Sequence, residues 1–113
     1  MDEERVCAER VMAAIGIKCT IDVPGKRPDE FVQFTLAATD GGRFTRGSRI
    51  AATSWAKTRK RAREIAGMVE RACQSIEEEP NVFSATPDGT YRWDDPETGT
   101  PRYQTNINLK ICE

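Results

Sequence analysis

The sequence contains no histidine, the side chain that most often serves as a general base near neutral pH. A cysteine or serine nucleophile would therefore have no imidazole to activate it. Paired carboxylates are the remaining catalytic option, but the acids occur in runs such as "DEE", "EEE" and "WDD", which are typical of solvated surface. We therefore expect a protein that is not an enzyme and that uses no cofactor.

Close cysteine pairs are also absent. The four cysteines are Cys7, Cys19, Cys73 and Cys112, and no two of them form a CxxC motif. Because structural zinc sites usually take four ligands from two close pairs, this spacing argues against a metal site. We expect four reduced thiols that pack as small apolar residues in the core.

Long apolar runs are missing as well, since none approaches the roughly 20 residues that a membrane-spanning helix needs. The first ten residues, "MDEERVCAER", are charged and unlike a secretory signal. The chain has 113 residues, of which 38% are hydrophobic and 31% are charged. These values predict one globular domain, residues 1–113, which has no membrane partner and is assembled in a cytoplasm.

Hydrophobic periodicity predicts two helices, over residues 3–15 and 58–77. Asp2 is the expected N-cap of the first helix and Gly16 its stop signal. Alternating apolar residues predict five strands. Their expected ranges are 17–23, 31–38, 49–55, 82–86 and 102–111.

The order helix, three strands, helix, two strands predicts an α+β fold, with helices on one face of a mainly antiparallel sheet. The stretch "TDGGRFTRGS" is expected to be a glycine-rich hairpin connection longer than two residues. In the last strand, Gln104, Asn106 and Asn108 share a face that should contact water or a polar partner. Six residues are expected to be buried together in the core: Phe34, Leu36, Ile65, Val69, Ile107 and Leu109.

The charged residues are unevenly distributed, although the net charge is only −1. Eight bases and one acid lie between positions 40 and 63, so this segment carries +7 and the rest of the chain −8. The bases are Arg43, Arg46, Arg49, Lys57, Arg59, Lys60, Arg61 and Arg63.

The second helix begins with the basic stretch "KTRKRAR" and ends with the acidic stretch "SIEEE", so both ends oppose the helix dipole. Each misplaced exposed charge costs about 0.3–1 kcal/mol. Either this is ordinary surface charge whose cost is outweighed by packing, or each end meets opposite charge on another chain. A basic helix start also suits phosphate groups. However, a pI of about 5.6 and the absence of a helix-turn-helix pattern disfavour sequence-specific DNA binding.

Three blocks of the sequence resemble the tail terminator proteins of long-tailed, non-contractile bacteriophages. The first is "VPGKRPDEFVQFTLAATDGG", a strand corner followed by a "GG" hairpin. The second is "RIAATSWAKTRKRAREIAGMVERA", a short strand that leads into the long helix. The third is "DDPETGTPRYQTNINLKI", an acidic loop that enters the last strand. The helix start is commonly acidic or neutral in that family and is basic here, and Thr105 stands where an aromatic residue is common.

The resemblance implies a structural virion protein that forms a hexameric ring on the head-proximal end of the tail tube. Such a ring stops tube polymerisation and joins the tail to the neck of the capsid. The implied partners are further copies of the chain, the major tail tube protein and the head-tail connector, with at most non-specific contact with DNA in the lumen. The alternatives are another neck component, such as a stopper or head-completion protein, and a small nucleic-acid-binding regulator.

Within that hypothesis, the loop "DDPETGTP" is an assembly loop that Arg102 and Tyr103 anchor to the sheet. Complementary charge is expected to help close the ring, because each subunit of a cyclic ring offers two different patches to its neighbours. The candidate basic side comprises Arg43, Arg46, Lys57, Arg59, Lys60 and Arg61. The candidate acidic side comprises Glu77, Glu78 and Glu79, or Asp94, Asp95 and Glu97 in the loop.

Overall fold

The computed structural model describes residues 1–41 and 45–112, which form two helices and a five-stranded sheet. This confirms the predicted α+β fold and the predicted order of elements. The elements are α1 (Glu3–Ile15), β1 (Cys19–Thr20), β2 (Phe31–Gly41), β3 (Thr45–Trp55), α2 (Arg59–Ala72), β4 (Val82–Arg92) and β5 (Arg102–Cys112), with a 3-10 helix, Cys73–Glu78, after α2.

Both helices start at a side-chain cap. Asp2 Oδ1 accepts a hydrogen bond from the Arg5 N–H at 3.2 Å, and Thr58 Oγ1 accepts one from the Arg61 N–H at the same distance. Helix α1 ends as predicted at Gly16, whose φ of 74° is the left-handed conformation that glycine adopts without strain.

Helix α2 ends earlier than the predicted residue 77, because the last turns tighten into the 3-10 helix. Two side chains in this region donate hydrogen bonds to carbonyls of the preceding turn. The Cys73 thiol donates to Val69 O at 3.2 Å, and the Ser75 hydroxyl donates to Ala72 O at 2.6 Å. Such local bonds offer the backbone an alternative to the regular α-helical ladder.

The strands lie in the order β1-β2-β3-β5-β4, and every neighbouring pair is antiparallel except β1 and β2. The predicted strand over 17–23 is wrong in extent, since only Cys19 and Thr20 pair with β2. The alternating apolar residues Ile17 and Ile21 are half-buried but form no strand pairing. Pro24, which has no N–H to donate to a neighbouring strand, follows the predicted range.

Three other strands are longer than predicted. Strands β2 and β3 reach into the expected hairpin connection from both sides, and residues 42–44, including Arg43, lie outside the described residues. Strand β4 continues through Pro87 and Gly89, beyond its predicted end at residue 86. It does so by a register shift between Pro87 and Thr90, where Gly89 takes a φ of 91°.

One hydrophobic core lies between the helices and one face of the sheet. Five of the six predicted core residues are 0–2% exposed, and Leu36 is only partly buried. The reason is a bulge between Leu36 and Ala38, beyond which β2 leaves the core and is exposed. The expectation of four core cysteines also fails at Cys112, which is exposed because it follows the inward-facing Ile111 on β5.

A glutamate caps one open backbone N–H at each side of the sheet. Glu4 of α1 accepts a hydrogen bond from the Leu36 N–H of β2 at 2.8 Å, just beyond the short pairing with β1. Glu77 accepts one from the Ala85 N–H of β4 at 3.1 Å. Because unpaired edge groups invite uncontrolled pairing with other chains, these two carboxylates protect the edges locally. Among the described residues, no helix is long and apolar enough to cross a bilayer.

Candidate assembly surface

An aromatic and arginine cluster lies at one end of the sheet, on the face away from the helices. The ring of Trp55, the last residue of β3, stacks on Phe31 at the start of β2, with 5.3 Å between centroids. The guanidinium groups of Arg27 and Arg102 each lie 4.9 Å from the Trp55 ring centroid, in cation–π contact. Trp55 and Phe31 are only 3% and 1% exposed, although they lie on the face opposite the helices.

Arg102 connects this cluster to the loop that precedes β5. Its guanidinium lies 4.4 Å from the ring centroid of Trp93, and its Nε donates a hydrogen bond to Trp93 O at 2.6 Å. Arg102 therefore anchors the loop where the chain re-enters the sheet, the role expected from the sequence. Trp93 remains 49% exposed and adds an open aromatic surface beside the buried Trp55.

The loop over residues 93–101 is organised by Asp95, whose side chain is buried. One carboxylate oxygen accepts from the Glu97 N–H at 3.2 Å, and the other accepts from the Thr98 hydroxyl at 2.7 Å. The backbone of Asp95 also bonds to Gly99 and Thr100. The Thr98 hydrogen bond is the largest influence on the pKa of Asp95, which is lowered below its usual value. Asp95 is thus an internal brace of the loop.

The other two acids of this loop differ in their surroundings. Asp94 accepts a hydrogen bond from Arg92 at 2.6 Å, and this bond lowers the pKa of Asp94. Glu97 is exposed and, within the described residues, its carboxylate has no hydrogen-bond or ion-pair partner. Of the three acids predicted to face a neighbour, Glu97 is therefore the one whose charge is uncompensated.

The acidic end of the long helix has a partner within the same chain. Arg10 of α1 donates to Glu79 at 2.9 Å and to Glu78 at 3.3 Å. Glu77 accepts the edge N–H of Ala85 instead. We call Glu77, Glu78 and Glu79 the acidic turn. Only Glu78 and Glu79 share the Arg10 guanidinium, so the three carboxylates of the acidic turn keep two negative charges in excess.

The basic start of α2 is likewise partly compensated. Arg61 forms a two-pronged ion pair with Glu30, with distances of 2.6 and 3.2 Å, and this bond raises the pKa of Arg61. Lys57 pairs with Asp29 at 3.4 Å. Arg46 forms an ion pair with the buried Glu3. This pair lies at the start of β3, whereas α2 begins after the end of that strand. Part of the charge that opposes the helix dipole at each end is thus paired with opposite charge inside the same chain. The sequence does not show whether such a counter-charge comes from the same chain or from a second one.

Four cations of α2 lack such a hydrogen bond or ion pair, although, after the larger effect of Arg92, the charge of Arg59 helps to lower the pKa of Asp94. The side chains of Arg59, Lys60, Arg63 and Arg71 are exposed and form no hydrogen bond or ion pair with the described residues. They border an open groove of about 620 Å³, whose lining also includes Gly67, Met68 and Tyr103. We call this the basic groove. Arg59 and Lys60 were predicted interface residues, and Tyr103 was predicted as a loop anchor.

Arg63, Met68, Arg71 and Phe83 were missed as interface candidates. Arg63 and Arg71 fall at i and i+8 along the exposed side of α2, and the row Arg59, Arg63, Gly67, Arg71 has the four-residue spacing of one helix face. That spacing was available in the sequence. The exposure of Phe83 could not be predicted in this way. The sequence pattern of Val82, Phe83 and Ala85 did not show which of these side chains would face outward.

A metal centre is not evident among the described residues, since no group of three or more cysteine, aspartate or glutamate side chains there is arranged to hold an ion. The buried thiols of Cys7, Cys19 and Cys73 have pKa values raised to about 12, chiefly by burial. They are therefore protonated and unreactive near neutral pH.

A scan of protein-family models found no family that matches this chain, and a search of curated protein sequences found no significant match.

Proposed function

We propose that this chain is a tail terminator of a long-tailed, non-contractile bacteriophage. In this role it closes into a hexameric ring on the head-proximal end of the tail tube, stops tube polymerisation and joins the tail to the neck. Its partners are copies of itself, the major tail tube protein and the connector proteins of the neck. Its place is the virion, at the junction of tail and neck, after assembly in the bacterial cytoplasm.

One observation carries the proposal beyond the sequence resemblance. The three sequence blocks that carry the resemblance are far apart in the chain, yet they meet in the cluster around Trp55. Arg27 comes from the first block, Trp55 from the second, and Asp95 and Arg102 from the third. Matching blocks that build one local structure support a shared architecture more strongly than three unrelated surface matches would.

The surface properties agree with an assembly role. Tyr, Trp and Arg are the residues most enriched at energetically important interface positions, and this end of the sheet exposes Tyr91 and Trp93 beside Arg102. The loop beside them is braced by Asp95 and carries the uncompensated Glu97. A preorganised loop loses little conformational freedom when it binds, which favours its use as a contact element.

The test is the native mass of the purified protein with and without tail tube subunits of the same virus. The proposal expects a closed hexamer, either alone or with the tube subunit. The variant Glu97→Lys should weaken the complex with the tube or neck, whereas Asp22→Lys, a matched change at an exposed and unpaired acid elsewhere, should not. A protein that stays monomeric under both conditions would contradict the proposal.

A second candidate is contact with nucleic acid, which the four exposed cations of the basic groove favour, since none forms an ion pair with the described residues. The overall charge of −1 and the groove's apolar lining disfavour it. A gel-shift titration separates the two candidates. The terminator proposal expects weak binding that disappears at moderate salt, whereas a dedicated regulator would retain sequence-dependent binding there.

A further inference from the structure

Phe83 is the most exposed of the large hydrophobic side chains in the described residues, at 76%. It lies on the outer strand β4, between Val82 and Ser84, where the pairing with β5 shifts register. The irregularity turns Val82 into the core and leaves Phe83 in solvent. An isolated exposed phenylalanine would be unremarkable, but this one has a distinctive charged setting.

The acidic turn ends four residues before Phe83 in the chain. The Val82 N–H donates a hydrogen bond to Glu79 O at 3.0 Å, which fixes the turn against the start of β4. Glu78 and Glu79 share Arg10 there, Glu77 accepts the Ala85 N–H instead, and the Glu78 side chain is 70% exposed. The start of β4 therefore carries an exposed apolar ring, and the turn that precedes it in the chain carries two excess negative charges.

The basic groove has the opposite properties. Four exposed cations without an ion pair among the described residues border it, and Met68 and Tyr103 give it an apolar component; the cations are Arg59, Lys60, Arg63 and Arg71. From Arg59 to Arg71 the helix rises about 18 Å, at about 1.5 Å per residue. The groove volume of about 620 Å³ is ample for one phenyl ring with its flanking backbone.

Gly67 contributes to the shape of this groove. It lies within the arginine row of α2, where glycine weakens a helix relative to alanine. A Cβ at Gly67 would lie 3.4 Å from Arg71 Nη1, so the missing side chain leaves room for the Arg71 guanidinium at the groove floor.

We propose that the basic groove of one subunit receives Phe83 and the acidic turn of a second copy of this chain. This interface rests on the proposed ring function and names the two surfaces that close it. The patches differ from each other and do not pair within one chain, so the contact is heterologous and propagates head to tail. A ring follows if the rotation between subunits closes, and a filament follows if it does not.

A second copy fits the groove better than a nucleic acid strand does. Phosphates would satisfy the cations but leave Met68 and Tyr103 without an apolar partner. The acidic turn with Phe83 supplies both a negative and an apolar component.

Thiol cross-linking tests the interface. All variants carry Cys112→Ser, which removes the exposed native thiol, while the three remaining thiols are buried and protonated. Met68→Cys and Phe83→Cys are made in separate chains, mixed, and treated with a short bifunctional maleimide. We expect a cross-linked dimer in the mixture and none in either variant alone. A chain that carries both substitutions should give a ladder ending at the ring.

The matched control replaces Phe83→Cys with Lys18→Cys, which places an exposed thiol away from both patches. Cross-linking at the same yield in this control, or of either variant with itself, would overturn the proposal. As a second readout, the double variant Arg63→Glu, Arg71→Glu should lower the association constant at least about tenfold at low salt. Adding Glu78→Arg to the same chain should restore part of the loss.

The two proposals fail in different ways. A hexamer of the unmodified protein without the mixed cross-link overturns this interface and leaves the ring function standing. A cross-linked ladder that never closes supports the interface and overturns the ring. A protein that stays monomeric and uncross-linked both with and without the tube subunit overturns both.

Discussion

Arg27 and Asp95 form an ion pair with 3.6 Å between Nη1 and Oδ2, and this contact joins two loops from opposite ends of the chain over Trp55. Arg27 also contacts the Trp55 ring, while Asp95 braces the loop before β5. The acidic, proline-bounded loop therefore has a fixed shape that comes from its own carboxylate.

The substitution Asp95→Asn tests this brace through its pH dependence. The pKa of Asp95 is lowered in the folded protein, first by the Thr98 hydroxyl and then by the Glu97 N–H and the two neighbouring arginines. Its carboxylate therefore stabilises the fold fully above the ordinary value of 3.8, and this contribution is lost as pH falls through the lowered value. Thermal melts should show a wild-type advantage over Asp95→Asn at pH 7 that shrinks below about pH 4. An advantage that grows on acidification would contradict the account.

Core packing makes a second prediction. Ile65 of α2 and Leu109 of β5 are 0% and 2% exposed and belong to the same core. Truncation of either to alanine should lower the free energy of unfolding by about 2–5 kcal/mol, through lost burial and a residual cavity. Chemical denaturation measures this, with Leu36→Ala as the comparison, since the partly buried Leu36 should cost less. Equal losses at all three positions would show that the core boundary is misplaced.

Gly67→Ala is expected to separate stability from assembly. Alanine is the better helix former by roughly 0.8–1 kcal/mol, and the added methyl group meets only the movable end of Arg71, at 3.4 Å. We expect a higher melting temperature for the isolated subunit together with weaker self-association, because the groove floor is filled. Thermal melts at low concentration and sedimentation at high concentration measure the two effects. A variant that gained stability and assembled normally would show that the groove floor is not a contact.

The thiols provide a fourth prediction. A maleimide reagent at pH 7 should label one thiol per native chain, at the exposed Cys112, and all four after denaturation. The pKa values of about 12 at Cys7, Cys19 and Cys73 keep those thiols protonated under these conditions. Mass spectrometry counts the labels, and Cys112→Ser should remove the native label entirely. Rapid labelling of more than one native thiol would mean that the core opens readily.

The sequence was sufficient for elements whose pattern coincides with a terminal signal. Helix α1 is bounded by Asp2 and Gly16, and the alternation of β5 matches its burial closely. The sequence was insufficient where the extent of a strand depends on pairing with another part of the chain. The alternation after Gly16 predicts a full strand, but only two residues of it pair with β2. The predicted β4 stops at residue 86, but the observed strand continues past Gly89 through a register shift.

The candidate surface shows the same division. The sequence identified the charged segments, because charge runs are visible without a fold. It did not reveal which charges the fold would neutralise, since Arg10 with Glu79 and Arg61 with Glu30 are tertiary contacts. Once those internal pairs form, Arg63 and Arg71 remain exposed without an ion pair among the described residues. The exposure of Phe83 likewise follows from the fold.

The most direct test of the terminator proposal is tube growth in vitro. Tail tube subunits of the same virus are polymerised with and without this protein, and the tubes are measured by negative-stain electron microscopy. The account predicts that added protein arrests elongation and forms a six-fold ring at one end only, and that Lys18→Glu, a control at an exposed cation outside both patches, does the same. Tubes of unchanged length with no ring at either end would contradict it.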